Sequence, residues 1–401
     1  MKLSARETAM PASPIRKLVP FANQAKARGV KVYHLNIGQP DIETPPEMID
    51  AIRDFKDPVL AYGPSEGLAE TRKAVSEYMK SFGLDVEPSD VTTTVGGSEA
   101  LMFSMLSLCN YQDEIIVFEP FYTNYAGFAC ETGVKLVAVE THVDSCFRLP
   151  SAADIEAKIT PRTRAILYSS PGNPTGTVLG REEVERLVDI ATRHDIFLIA
   201  DEVYREFVYG DARFVSTLEV AAARGQAERV ILIDSISKRF SACGSRIGFL
   251  VTKNKAVQSL ALRFGQARLC PPTLDQYSAI AGYKVIEKYV PPMIDEYRKR
   301  RDVVMAGLKK IPGMICGCPE GAFYLQPSLP IDDGDKFALF MLNDFNSNGE
   351  TVMVAPGSGF YVTPGKGKSE VRIAYVLKES DLARAMEILA EGVVAYNARK
   401  G

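Results

Sequence analysis

Val230-Ile231-Leu232-Ile233-Asp234-Ser235-Ile236-Ser237-Lys238 is an apolar run that ends in an acid, two serines and a lysine. Four consecutive apolar residues without polar alternation read as a strand buried on both faces. Eight positions after the lysine, Arg246 opens a second such run, Arg246-Ile247-Gly248-Phe249-Leu250-Val251. A lysine just past a buried strand, among small hydroxyl residues and near an arginine, is oddly placed for a solvated surface side chain. Ser235, Ser237 and Arg246 have the chemistry to grip a phosphate. An amine held beside cationic charge is expected to have a depressed pKa and to attack a carbonyl. A surface role for Lys238 is the competing reading.

The same pattern extends in both directions. Upstream, a strand at 91–95 leads into a helix at 98–108, strands follow at 114–118, 134–139, 165–169 and 196–200, and a helix covers 181–194. Downstream, a helix runs from about 254 to 264. Apolar strands interleaved with helices predict an α/β fold with a mostly parallel central sheet packed in three layers. Beyond Pro291-Pro292 a long charged helix is expected to reach 311, followed by short strands at 322–325, 352–354 and 371–376 and helices at 336–345 and 380–390, a smaller α+β unit. The first forty residues read as an irregular arm with a mixed helical stretch at 15–29 and a short strand at 33–37. Helices at 47–56 and 68–82 flank the turn-rich Tyr62-Gly63-Pro64-Ser65-Glu66-Gly67. The expected organisation is an arm with part of the small domain over 1–45, a large domain over 46–290 and a small domain over 291–401, with a cleft at their junction.

At about 150 residues per domain, 401 residues leave room for a large core. Forty-seven basic against fifty acidic residues, with no long block of one sign, point away from nucleic acid and from a membrane surface. Seven cysteines, an odd number in a chain that needs no staples, read as reduced. Cys316 and Cys318 form a CxC, but His34, His142 and His194 lie far away in sequence and complete no ligand spacing, so no metal is expected. The start MKLSARETAM lacks an apolar run of signal length, and nowhere do 18 apolar residues follow one another. A cytoplasmic protein is expected.

Three further stretches sit at predicted strand ends. Asp201-Glu202-Val203-Tyr204 follows the run 196–200, so Asp201 points into the crevice where open sheets bind ligands, or else caps a turn. Ser170-Pro171-Gly172-Asn173-Pro174-Thr175-Gly176 is a rigid turn, with Asn173 at its centre either as a fixed hydrogen-bonding group or as part of the turn alone. Gly96-Gly97-Ser98 joins strand to helix where free N–H groups can bind one phosphate, and Glu99 behind it is either functional or a helix-end charge. Neither GxGxxG nor GxxxxGK[ST] is present, so a dinucleotide or nucleoside triphosphate is not supported.

An amine, a carboxylate, an amide and a phosphate nest at strand ends of one sheet together resemble the fold type I pyridoxal-phosphate enzymes, specifically the class I and II aminotransferases. The resemblance rests on Asn173-Pro174-Thr175-Gly176, on Asp201 to Tyr204, and on Ser235-Ile236-Ser237-Lys238 with Arg246-Ile247-Gly248. It continues in Asn36-Ile37-Gly38-Gln39-Pro40-Asp41 and in Val371-Arg372-Ile373-Ala374, so it spans nearly the whole chain. Segments such as Glu119-Pro120-Phe121-Tyr122 are similar to bacterial aspartate aminotransferases.

What the resemblance implies is specific. Lys238 would anchor pyridoxal 5'-phosphate covalently and, once released, carry the proton at the substrate Cα. Asp201 would pair with the ring nitrogen, Tyr204 and Asn173 with the phenolic oxygen, and Tyr122 would stack on the ring, unless it is simple core filling. Gly97, Ser98, Ser235, Ser237 and Arg246 would form the phosphate cup, joined by Tyr62 from the neighbouring subunit of a homodimer. Arg372, with the N–H of Gly38, would hold the substrate α-carboxylate, a structural salt bridge being its other reading. The implied activity is ping-pong transfer of an amino group between an L-amino acid and a 2-oxo acid, aspartate and glutamate first, alanine or aromatic amino acids next, with a C–S lyase of the same fold as a further alternative. Relatives that read a distal carboxylate with a lysine after the Gly-Gly pair differ from this chain, which has Ser98 there; Arg268 could serve instead, or form a surface ion pair.

Overall fold

Along the central strands, neighbouring residues feed opposite cores: Ile115 and Val117 pack on one face while Ile116 and Phe118 pack on the other. The same alternation runs through Leu198, Ile199 and Ala200 and through Val230, Ile231, Leu232 and Ile233. A strand whose side chains alternate between faces, yet is apolar on both, is stable only between two helical layers. The computed structural model describes residues 1–399 except residue 318. Its strands in chain order are β1 (Lys31–His34), β2 (Val91–Val95), β3 (Glu114–Glu119), β4 (Lys135–Glu140), β5 (Thr163–Ser169), β6 (Phe197–Asp201), β7 (Val230–Ser235), β8 (Ile247–Thr252), β9 (Tyr324–Leu325), β10 (Glu350–Met353), β11 (Ala355–Pro356) and β12 (Val371–Ala374).

Seven of them form the central sheet in the order β2-β8-β7-β6-β5-β3-β4. The pairs among β3 to β7 are parallel, and β8 runs antiparallel to both β2 and β7. The carboxyl ends of β2, β5, β6 and β7 therefore open on one edge, where open α/β sheets bind ligands. The result is a mixed, mostly parallel sheet between helical layers.

A third core unites the two ends of the chain. Leu18, Ala22, Val32 and Leu35 pack with Val304, Phe337, Val352, Ile373 and Leu389. β1 pairs in parallel with β10, and β11, β12 and β9 form a small antiparallel sheet. The expected strand at 33–37 is thus displaced to Lys31–His34, its register fixed by a partner more than 300 residues away.

The long helix differs most from expectation. It begins at Ile286, before the double proline, and runs to Leu308. Prolines inside a helix cost about 3 kcal/mol. Here Pro291 and Pro292 face solvent, while the turn before them is held by Tyr289, whose hydroxyl donates to the Glu43 carbonyl at 2.8 Å and whose ring packs against Phe240. Tertiary packing overrides the local signal. The last helix, Glu379–Ala398, is longer than expected because its buried face continues through Val393 and Tyr396. Among the described residues no helix is long and apolar enough to cross a membrane. Of the CxC pair, Cys318 lies outside the described residues.

Candidate active site

A cavity of about 750 Å³ opens at the carboxyl edge of the central sheet. Of the sequence-predicted residues, Gly38, Gly97, Ser98, Tyr122, Asn173, Asp201, Tyr204, Ser235, Ser237, Lys238, Arg246 and Arg372 all line it. Tyr62 does not; its side chain is 79% exposed.

Lys238 lies on the short helix Ile236–Arg239 directly after β7. The Ser235 hydroxyl caps that helix by accepting from the Ser237 N–H at 3.1 Å and donates to the Ile247 carbonyl at 2.9 Å. The Lys238 amine donates to the Gly38 carbonyl at 3.0 Å and lies 3.6 Å from the Cys243 sulfur. The expected depressed pKa is corrected by the structure. Burial alone would lower it, but Tyr324, Cys243 and Tyr122 together outweigh burial, and the amine is shifted upward. Sequence reasoning placed cations beside the amine and missed the two tyrosines and the cysteine around it.

Asp201 closes β6 and is buried. Burial pushes its carboxyl up to about 6, against the opposing hydrogen bond from Tyr125. The Tyr125 hydroxyl donates to Oδ2 at 2.6 Å, and Oδ1 is buried without a partner. Tyr204 shares a 3.1 Å hydroxyl contact with Tyr324. The Tyr122 hydroxyl accepts from Asn124 Nδ2 at 2.8 Å, and its ring stands edge-on to Tyr125.

On the phosphate side, the helix following β2 starts at Gly96, two residues earlier than expected. Gly96 has φ +70, and a Cβ there would strike the Arg246 guanidinium, so glycine lets that cation lie along the first helical turn. Arg246 itself donates to the Cys243 carbonyl at 3.1 Å. Glu99 turns back to accept from the Val95 N–H at 2.8 Å and pairs with Arg268 at 3.1 Å. Arg268 thus forms an ion pair and does not line the cavity.

Arg372 sits on β12, buried. It donates to Asn173 Oδ1 at 3.1 Å and to the Asn36 carbonyl, between the rings of Tyr324 and Phe360 at 4.7 and 5.0 Å. Its Nε has no partner, burial lowers its pKa, and no carboxylate among the described residues comes within ion-pair distance. The structural salt bridge is therefore absent. Tyr125, Tyr324, Cys243 and Phe360 join the site without having been picked out.

Behind the cavity, Arg239 bridges Asp234 at 2.9 and 3.2 Å and Glu206, and Arg205 lies 3.9 Å from the same Asp234. All four are buried, and the two guanidinium groups hold the Asp234 carboxyl below its ordinary range despite burial. This network fixes the end of β7 that carries Lys238.

Residues 30–389 match the family model described as aminotransferase class I and II. The chain is similar to the aspartate aminotransferase of Bacillus subtilis, 31% identical over 397 residues that cover 96% of this chain and 98% of that protein. It is similar to aromatic-amino-acid aminotransferase 2 of Thermococcus litoralis, 32% identical over 395 residues, covering 96% and 97%. The solved structure of the alanine aminotransferase from Pyrococcus furiosus matches with a TM-score of 0.89 at 31% identity, over 98% of this chain and 100% of that one. With its sheet, its strand-end cavity and these likenesses over nearly its full length, the chain belongs to the class I and II aminotransferases, a fold type I family that works with pyridoxal phosphate.

Proposed function

We propose that this aminotransferase binds pyridoxal phosphate at the cavity and moves an amino group between an L-amino acid, aspartate and glutamate first, and a 2-oxo acid such as 2-oxoglutarate. Arg372 carries the reading: a buried cation without a carboxylate partner opens on the same cavity as the Lys238 amine. An uncompensated buried charge is costly. A substrate α-carboxylate removes that cost, because two parallel oxygens fit a guanidinium fork.

The residues fit the cofactor. The orphaned Oδ1 of Asp201 suits a protonated ring nitrogen, the hydroxyls of Ser98, Ser235 and Ser237 with Arg246 suit a phosphate, and the Lys238 amine suits an aldehyde. When bound, pyridoxal phosphate supplies an electron sink for charge developing at the substrate Cα. The chain's own residues do the rest. Lys238 takes and returns the proton at Cα. Arg372 and the Gly38 N–H orient the carboxylate, Tyr122 covers one face of the ring, and Tyr204 and Asn173 hold its phenolic oxygen.

The same reading includes an arm over 1–45, a large domain over 46–290, a small domain over 291–401, a cytoplasmic location, and a homodimer in which Tyr62 completes the neighbouring subunit's cup. Exposed Val59, Leu60 and Tyr62, at 69%, 59% and 79%, support the dimer. A preference for alanine or aromatic amino acids is the second reading, favoured by Ser98 in place of a lysine and by Arg268 being engaged with Glu99.

The test is a half-reaction screen of the cofactor-loaded protein. Single amino acids are added, cofactor absorbance is followed and the keto product identified. Fast conversion of aspartate and glutamate is expected; conversion of alanine or aromatic amino acids alone selects the second reading, and release of ammonia with a sulfur product identifies a C–S lyase.

A further inference from the structure

Arg16 lines the cavity together with Lys238, Arg246 and Arg372. It sits on the short 3-10 turn Arg16–Leu18, whose backbone is pinned on both sides. Pro14 packs directly on Gly359, where any Cβ would collide with the proline ring. Lys17 pairs with Asp335 at 2.6 Å, and the Leu18 side chain is buried. The Arg16 backbone N–H also reaches Ser13 Oγ at 3.3 Å. Its guanidinium, by contrast, has no hydrogen bond or ion pair with any described residue. A free cation on a fixed turn keeps its reach toward the cavity without a competing partner.

The other cations lining the cavity are engaged. Lys238 is held by the Gly38 carbonyl, Arg246 by the Cys243 carbonyl, and Arg372 by Asn173 and the Asn36 carbonyl. The single lining carboxylate is Asp201. If Lys238 anchors the cofactor, Arg246 meets its phosphate and Arg372 takes the α-carboxylate, Arg16 is the cation left over. Its distance from Arg372 is bridged by one short segment, because Gly359 seats Pro14 while the next residue, Phe360, faces the Arg372 guanidinium.

We propose that Arg16 binds the distal carboxylate of a dicarboxylic amino or 2-oxo acid and so determines side-chain specificity. The inference rests on the dicarboxylate reading above and assigns it a residue in this chain. Arg268, the other candidate, is committed to Glu99.

The test uses the holoenzyme with R16Q and R16K. One readout is kcat/KM in the half-reaction with glutamate, aspartate and alanine; the other is calorimetric binding of succinate, an unreactive dicarboxylate, against butyrate. A charged hydrogen-bonded pair corresponds to roughly 10–100-fold. R16Q is expected to lose about that factor for glutamate, aspartate and succinate, with alanine and butyrate nearly unchanged, and R16K to recover part of the loss. An equal fall on alanine and glutamate makes the arginine a general closing element and overturns the proposal, as does an unchanged R16Q. If the wild type converts alanine but binds succinate no better than butyrate, this inference fails while the aminotransferase stands. If no amino acid is converted, the underlying reading fails, and Arg16 is still judged by whether R16Q weakens succinate.

Discussion

The Tyr125 hydroxyl donates to Oδ2 of Asp201 at 2.6 Å, from the helix Asn124–Thr132 to the end of β6. That bond favours the ionised carboxyl against its burial, so Tyr125→Phe is expected to push the Asp201 pKa above its present value of about 6. Cofactor affinity should fall by roughly 10–150-fold, the equivalent of about 1.5–3 kcal/mol for a hydrogen bond to a charged group. Titrating the apoprotein with pyridoxal phosphate at pH 7 measures it. Unchanged affinity would leave Tyr125 with a packing role only.

Asp201 also makes the ligand-free protein pH-sensitive. Its folded pKa of about 6 lies above the unfolded value near 3.9, so the folded state holds the proton more tightly. Stability from this group is therefore greatest below about pH 4, falls through the window up to about pH 6, and is level above it. The loss is roughly 2–3 kcal/mol. Asp201→Asn should remove that slope. Urea midpoints of wild-type and variant apoproteins between pH 4 and 7.5 give the comparison, and a constant difference would refute it.

Reduction with borohydride should lock the cofactor onto the peptide that contains Lys238. Peptide mass mapping finds the site directly. Lys238→Ala should show no such adduct and lose roughly 10²–10⁴-fold in turnover, the range for a positioned acid–base group. Attachment at any other lysine would remove Lys238 from its role.

Arg239 is expected to be essential for folding rather than for chemistry. Arg239→Met leaves Asp234 and Glu206 as buried carboxylates without their common partner, a loss of about 3–5 kcal/mol. Denaturant unfolding measures it, with Arg239→Lys retaining part of the stability because the charge remains. A loss under about 1 kcal/mol would mean that Arg205 alone neutralises the pocket.

Arg372→Gln should lower kcat/KM for all amino acids by a similar factor, roughly 10–100-fold, because the α-carboxylate is common to every one. Glutamate, alanine and phenylalanine measured side by side provide the check. A loss confined to glutamate would assign Arg372 to the side chain instead.

The central sheet was legible because its strands state their environment in composition: runs such as 230–233 are apolar throughout, and only a doubly covered sheet accepts them. Asp201 was legible from its place after such a run. Lys238's shifted amine was not, because Gly38, Tyr122 and Tyr324 reach it from three other parts of the chain and only Cys243 lies near it in sequence. Pro291 and Pro292 misled for a similar reason: the anchor that keeps the helix intact before them is a bond from Tyr289 to residue 43. Tyr324 lies in a two-residue strand too short to show periodicity.

The parallel pairing of β1 with β10 sets the order in which the enzyme becomes competent during synthesis. The strand that leads into Gly38 leaves the ribosome early, yet its neighbour is encoded beyond residue 349 and Arg372 later still. A nascent chain of 300 residues already contains every strand of the central sheet and Lys238, but neither the partner that fixes the amino-terminal strand nor Arg372. The cavity that holds Lys238 therefore gains Arg372, and the strand before Gly38 its partner, only in the last quarter of translation.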